Sequence, residues 1–154
     1  MKIRFFALLA AASVLSGCAT TYNPDAYDKN LTVNLNFEDR SLFASEDALL
    51  GVNDIAEGCT NDYKGDVTLS EGANEVGLAP NQETYLKVVL SQEHMFLRDW
   101  STSRGTLLTP APGQKYELDV AYADDMFDMR LYRVTPSGRE EMELTPEPDC
   151  LAQS

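Results

Sequence analysis

Apolar and polar residues alternate along most of this chain with the period of two that a half-buried strand requires. Leu31, Val33, Leu35 and Phe37 alternate with Thr32, Asn34 and Asn36, so 31–37 is expected to be a strand with one buried face. In 84–91, Thr84, Leu86, Val88 and Leu90 line one face, while Tyr85, Lys87 and Val89 line the other, which suits a central strand. A hairpin follows downstream. Tyr116, Leu118, Val120 and Tyr122 share a face, Ala123-Asp124-Asp125-Met126 turns, and Phe127, Met129 and Leu131 return.

Weaker patterns place strands at 63–69, with Val67 and Leu69 on one face, and at 75–78, 106–109 and 140–144. Residues 94–100 read as an irregular strand leading into a loop at Ser101-Thr102-Ser103. Turns are expected at Glu71-Gly72-Ala73-Asn74, Ala79-Pro80-Asn81-Gln82, Pro110-Ala111-Pro112-Gly113 and Thr135-Pro136-Ser137-Gly138. The segment 41–58 is ambiguous. Ser45-Glu46-Asp47 ahead of Ala48-Leu49-Leu50 has the look of a helix N-cap with acids in the first turn. A short helix or irregular segment is therefore the expectation, with a strand over 49–55 interrupted at Asn53-Asp54 as the alternative.

Seven to eight short strands separated by Pro, Gly, Asn and Asp turns predict an all-β fold, an antiparallel β-sandwich. The succession Val76-Gly77-Leu78, a turn, Thr84-Tyr85-Leu86-Lys87-Val88, then Leu108-Thr109-Pro110 through Gly113-Gln114-Lys115-Tyr116 resembles small prealbumin-like modules of bacterial envelope proteins. That resemblance supports the sandwich and implies no activity, because function sits in sites grafted on folds.

Ahead of the strands lies a segment of different character. Lys2 and Arg4 precede an apolar run over 5–14, and Leu15-Ser16-Gly17-Cys18 closes it. The run is too short for a transmembrane helix, which needs roughly 20 apolar residues, but it has the anatomy of an export signal. The closing tetrad resembles the lipobox of bacterial lipoproteins. The resemblance implies diacylglycerol on the Cys18 thiol, removal of 1–17 and acylation of the new amino group. Ala19, where an Asp would retain the protein at the inner membrane by the habit of enteric lipoproteins, implies the outer membrane. Several acyl chains on one residue anchor stably, since each buried methylene contributes about 0.8 kcal/mol. The expected organisation is a signal peptide at 1–17, a lipidated flexible tether at 18–30, a β-sandwich domain at 31–150 and a tail at 151–154.

Charge and cysteines sharpen this picture. The leader holds two of the twelve basic side chains and no acid, so the remainder carries 10 basic against 25 acidic residues, a formal net of −15. Nucleic-acid binding needs the opposite sign, and an anionic leaflet would repel such a body. With Cys18 assigned to lipid, Cys59 and Cys150 form an even pair in an oxidising compartment, and a disulfide between them is expected. A zinc site on these cysteines is not expected beside a single histidine.

No catalytic constellation stands out. His94 is the single histidine and there is no Gly-x-Ser-x-Gly elbow. Asp124, Asp125 and Asp128 gather at one turn but lack the spacing and glycine of an EF-hand loop, and aspartates favour turns for local hydrogen bonding. No cofactor and no metal are expected. Met95, Phe96 and Trp100, flanked by Arg98 and Arg104, form the one candidate interaction patch, the alternative being that Trp100 packs over an end of the sandwich.

The expectation is therefore a non-enzymatic lipoprotein held by Cys18 on the periplasmic face of the outer membrane, with a structural or adaptor role toward another envelope protein. The alternative is an inhibitor-like module that captures a cationic protein such as lysozyme. The net charge suits that alternative, but the paired-cysteine and Ser/Gly-rich loop pattern of lysozyme-inhibitor lipoproteins is missing.

Overall fold

Nine strands arise from the alternating patterns. The computed structural model of the chain describes residues 20–37, 44–94, 100–124 and 126–149. Among them run β1 (Lys29–Phe37), β2 (Ala44–Ala56), β3 (Thr60–Leu69), β4 (Gly72–Gly77), β5 (Thr84–His94), β6 (Trp100–Leu108), β7 (Lys115–Ala123), β8 (Met126–Thr135) and β9 (Gly138–Met142). The described residues include no helix. The strands form a five-stranded sheet in the order β4-β1-β7-β8-β9 and a four-stranded sheet in the order β3-β2-β5-β6. Every pairing is antiparallel except β1 with β7, which run parallel from Leu31 opposite Tyr116 to Phe37 opposite Tyr122. The fold is an all-β sandwich.

One apolar cluster fills the space between the sheets. Leu31, Val33, Leu35, Leu118, Val120, Met129 and Leu131 come from the first sheet, and Leu50, Val52, Leu86, Val88 and Leu90 from the second. Three described polar side chains are buried, and each is hydrogen-bonded, as buried polar groups must be to avoid a desolvation penalty. Thr84 Oγ1 donates to Asp54 Oδ1 at 3.0 Å. Gln92 Oε1 accepts from Trp100 Nε1 at 2.8 Å. Thr106 Oγ1 accepts from the Thr145 amide at 3.0 Å.

The ambiguous 41–58 segment resolves against the expected helix. β2 covers 13 of its residues and is central, pairing with β3 on one side and β5 on the other. Ala48, Leu50 and Val52 point into the core at spacing two, so two ladders of backbone hydrogen bonds override the helix-favouring Ala-Leu-Leu. The loop expected at Ser101-Thr102-Ser103 is also absent, since these residues continue β6. β6 has β5 as its only strand partner in the sheet order, so its alternation is written in small polar residues rather than in a hydrophobic run.

The third difference concerns 18–30. From Thr20 onward the segment expected to be a flexible tether is packed on the sandwich. Tyr22 belongs to the core and is 8 % exposed. A buried aromatic side chain and several long-range hydrogen bonds outweigh the ordering entropy of this polar stretch.

Candidate functional site

The sandwich has two open sides, and a terminal segment crosses each. On the β3/β4 side the crossing segment begins at Thr20. The Asp66 amide donates to Thr20 O and the Tyr22 amide donates to Asp66 O, both at 3.0 Å, making a parallel bridge of Thr21 with Asp66 on the β3 edge. The chain then crosses to the other sheet. Tyr22 Oη donates to Gly77 O at 2.7 Å, and the Gly77 amide donates to Pro24 O at 2.8 Å. Edge groups of β3 and β4 that would otherwise be open to strand addition are thereby used.

Two glycines permit this approach. Gly65 has φ +123°, and a Cβ there would lie 2.5 Å from Tyr22 N and 2.7 Å from Thr20 O. At Gly77 a Cβ would collide with the Tyr27 carbonyl. The turn after Tyr22 is tied by Lys29, whose Nζ donates to Pro24 O at 2.7 Å and pairs with Asp25 at 2.5 Å. Asn30 then substitutes for a strand backbone where the β1–β4 register shifts. Its Nδ2 donates to Leu78 O, and its Oδ1 accepts from the Leu78 amide, both at 2.8 Å.

Three tyrosines surround this edge. Burial, then the neighbouring Tyr27 and Asp54, push the Tyr22 hydroxyl up to about 12. Desolvation and a hydrogen bond to Asp66 push Tyr63 up to about 12. Tyr27 and Tyr63 are 47 % and 44 % exposed. Lys64 follows Tyr63, is within electrostatic reach of Tyr27 and pairs with Asp62, with Asp54 at 3.8 Å.

The β6/β9 side is crossed by the chain that follows β9. The Leu107 amide donates to Thr145 O at 3.1 Å, and Leu144 packs against the core. Farther on, burial and then Glu147 raise the Tyr85 hydroxyl, which lies over Gly105 of β6.

The outer face of the five-stranded sheet carries an ordered polar array above a shallow cleft of about 380 Å³ lined by Asn34, Asn36, Asp119, Asp128, Arg130 and Tyr132. Asn34 Nδ2 donates to Asp119 Oδ1 at 2.8 Å. Arg139 bridges Glu117 at 3.0 Å and Asp119, with its guanidinium 3.8 Å from the Tyr132 ring centroid. Arg130 pairs with Asp128 at 3.1 Å. Opposed charges on one face of neighbouring strands hold the array in register.

Of the expected site residues, Trp100 is half-buried. Its ring stacks on Tyr122 at 4.5 Å between centroids and 27° between planes, and its indole is bonded to the buried Gln92. The residue therefore packs over one end of the sandwich. Met95 and Phe96, the rest of the expected patch, lie outside the described residues, as do Cys18 and Cys150. Cys59 sits in the β2–β3 turn with φ 62° and is disulfide-bonded. His94 ends β5 opposite Ala44. Among the described residues no three His, Cys, Asp or Glu side chains converge on a point that could hold a metal ion.

Sequence reading missed Tyr22 as a docking residue. The signals available were Gly65 and Gly77 inside strand patterns, since glycine there marks a bulge or another backbone approaching closely. No family model matches the sequence, and no curated protein matches it.

Proposed function

We propose that this chain is a lipoprotein of the bacterial envelope, acylated on Cys18 and held on the periplasmic face of the outer membrane, with a non-enzymatic structural or adaptor role. The observation that carries the reading is the docked segment. It grips both sheets from Thr20 onward, two positions after the cysteine of the lipobox-like tetrad. Load on an anchor at Cys18 would thus pass directly into the β3 and β4 edges. The outer-face array of Asn34, Asp119, Arg130, Tyr132 and Arg139 is the surface proposed to meet another envelope protein. Its charges are paired locally, so recognition there would rest on geometry and hydrogen bonding more than on net charge.

A disulfide between Cys59 and Cys150 belongs to the same proposal. Support comes from the disulfide-bonded state of Cys59.

The test is a cross-linked pull-down of the lipidated protein from native envelopes, read by mass spectrometry against Cys18→Ala and Arg130→Glu variants. A dominant envelope partner lost in both variants supports the adaptor reading. Capture of a basic soluble protein that persists in Cys18→Ala and dissociates in high salt would replace it with the inhibitor reading.

A further inference from the structure

The docked segment leaves almost no chain between the proposed lipid and the folded body. Thr20 is two residues beyond Cys18. Consecutive Cα atoms are about 3.8 Å apart, so at most about 8 Å separates the Cα of Cys18 from that of Thr20. Each headgroup layer of a bilayer is itself about 5–8 Å thick. A body pinned at Thr20 by Asp66, and at Tyr22 and Pro24 by Gly77, has no room to stand off from such an anchor.

The surface around that exit is composed differently from the rest. Among the described residues three large hydrophobic side chains are exposed, and two of them, Tyr27 and Tyr63, flank the docked segment. Tyr63 is two residues from Gly65, which touches the Thr20–Tyr22 backbone. Tyr27 packs its own backbone on Gly77 and lies within electrostatic reach of Lys64 and Tyr22. Tyrosine is the side chain that suits a membrane interface, with an apolar ring and a wet hydroxyl. The two lysines beside these rings are each paired to an acid, Lys29 to Asp25 and Lys64 to Asp62. The surface therefore carries no excess positive charge that would select anionic lipids.

We propose that the β3/β4 side of the sandwich, with Tyr27 and Tyr63 at its centre, is a membrane-apposed surface that rests on the zwitterionic headgroups of the leaflet holding Cys18. This inference rests on the proposed acylation. It orients the body, because the β6/β9 side and the segment around Thr145 then point away from the bilayer, toward the aqueous space.

The experiment compares the acylated full-length protein in phosphatidylethanolamine–phosphatidylcholine vesicles with the unacylated Cys18→Ala protein in solution. Both are treated by enzymatic tyrosine iodination and read peptide by peptide by mass spectrometry. The mass of the N-terminal peptide and flotation with the vesicles report the anchor separately. Several-fold protection of Tyr27 and Tyr63 on vesicles, with Tyr132 on the outer sheet face modified equally in both forms, is the expected result. Flotation with all three tyrosines equally modified overturns the apposed surface and leaves the anchor standing. A protein recovered without acyl mass that does not float overturns both. No substitution within the body is needed, so folding of a variant does not enter the comparison.

Discussion

The Tyr22 hydroxyl donates to the Gly77 carbonyl at 2.7 Å, joining residues 55 positions apart. Through this bond a segment that is already a strand partner of β3 in one sheet becomes tied to β4 in the other. Tyr22→Phe removes one buried hydrogen bond and is expected to cost about 1 kcal/mol. Tyr22→Ala also empties a core position and should cost about 3–4 kcal/mol. Urea midpoints measure both, and limited proteolysis should release the first residues of Tyr22→Ala before the sandwich unfolds.

Alkali should act on the same bond. The Tyr22 hydroxyl ionises at about 12 in the fold against 10.0 for an ordinary tyrosine. A group with a raised folded pKa favours the fold below its unfolded pKa, and that contribution disappears as pH climbs to the folded value. Stability should hold up to about pH 10 and fall between about 10 and 12 as Tyr22 becomes tyrosinate. Tyrosinate absorbance followed with far-ultraviolet circular dichroism should show a late step coinciding with loss of β signal, and Tyr22→Phe should shrink that step, leaving the share of Tyr63, which is also raised to about 12.

Gly77 tests the docking from the other side. Gly77→Ala drives a methyl into the Tyr27 carbonyl, and overpacking of this kind costs about 1–3 kcal/mol. The cost should shrink in a chain truncated to begin at Lys29, because the colliding backbone is gone. Equal costs in the two backgrounds, measured as a double-mutant cycle by denaturant unfolding, would show that the strain lies within β4 itself.

Trp100 is predicted to matter to stability. Trp100→Phe keeps a ring against Tyr122 and loses the bond to Gln92, an expected cost of about 1 kcal/mol. Trp100→Ala removes the stacked ring and should cost about 3 kcal/mol. As the chain's single tryptophan, Trp100 also reports its own environment. Its emission should be blue-shifted in the native protein and shift red in Tyr122→Ala.

The proposed disulfide makes a fifth prediction. A Cys59–Cys150 bridge would close most of the domain into one loop and stabilise it by about 4–5 kcal/mol in the chain-entropy model. Non-reducing peptide mapping should recover the linked pair. Cys59→Ser and Cys150→Ser should lower the urea midpoint by the same amount, and by no more when combined.

The sandwich was legible from sequence because alternation is a local property. Leu31 to Phe37, Thr84 to Leu90 and the Tyr116–Leu131 hairpin each write a buried face into a few consecutive residues. The lipobox-like tetrad is local too, four adjacent residues after an apolar run. What escaped was set by partners distant in sequence. The segment around Ala48-Leu49-Leu50 has helical propensity, and only strands on both sides of it, β3 and β5, make it a strand. Ser101 to Ser103 look like a loop until β5 supplies their hydrogen bonds.

The docked N-terminal segment is the extreme case. Nothing in Ala-Thr-Thr-Tyr-Asn-Pro distinguishes a linker from a strand, because its stability comes from Asp66 and Gly77, 44 and 55 positions away. The sequence by itself determined the class of fold, the positions of most strands and the lipobox-like motif, since each depends on near neighbours and on the period of the backbone. Tertiary structure alone decided which sheet edges are covered, that the chain is gripped from Thr20 onward, and that Tyr27 and Tyr63 flank that grip. Those features are contacts between surfaces that exist only once both sheets have formed.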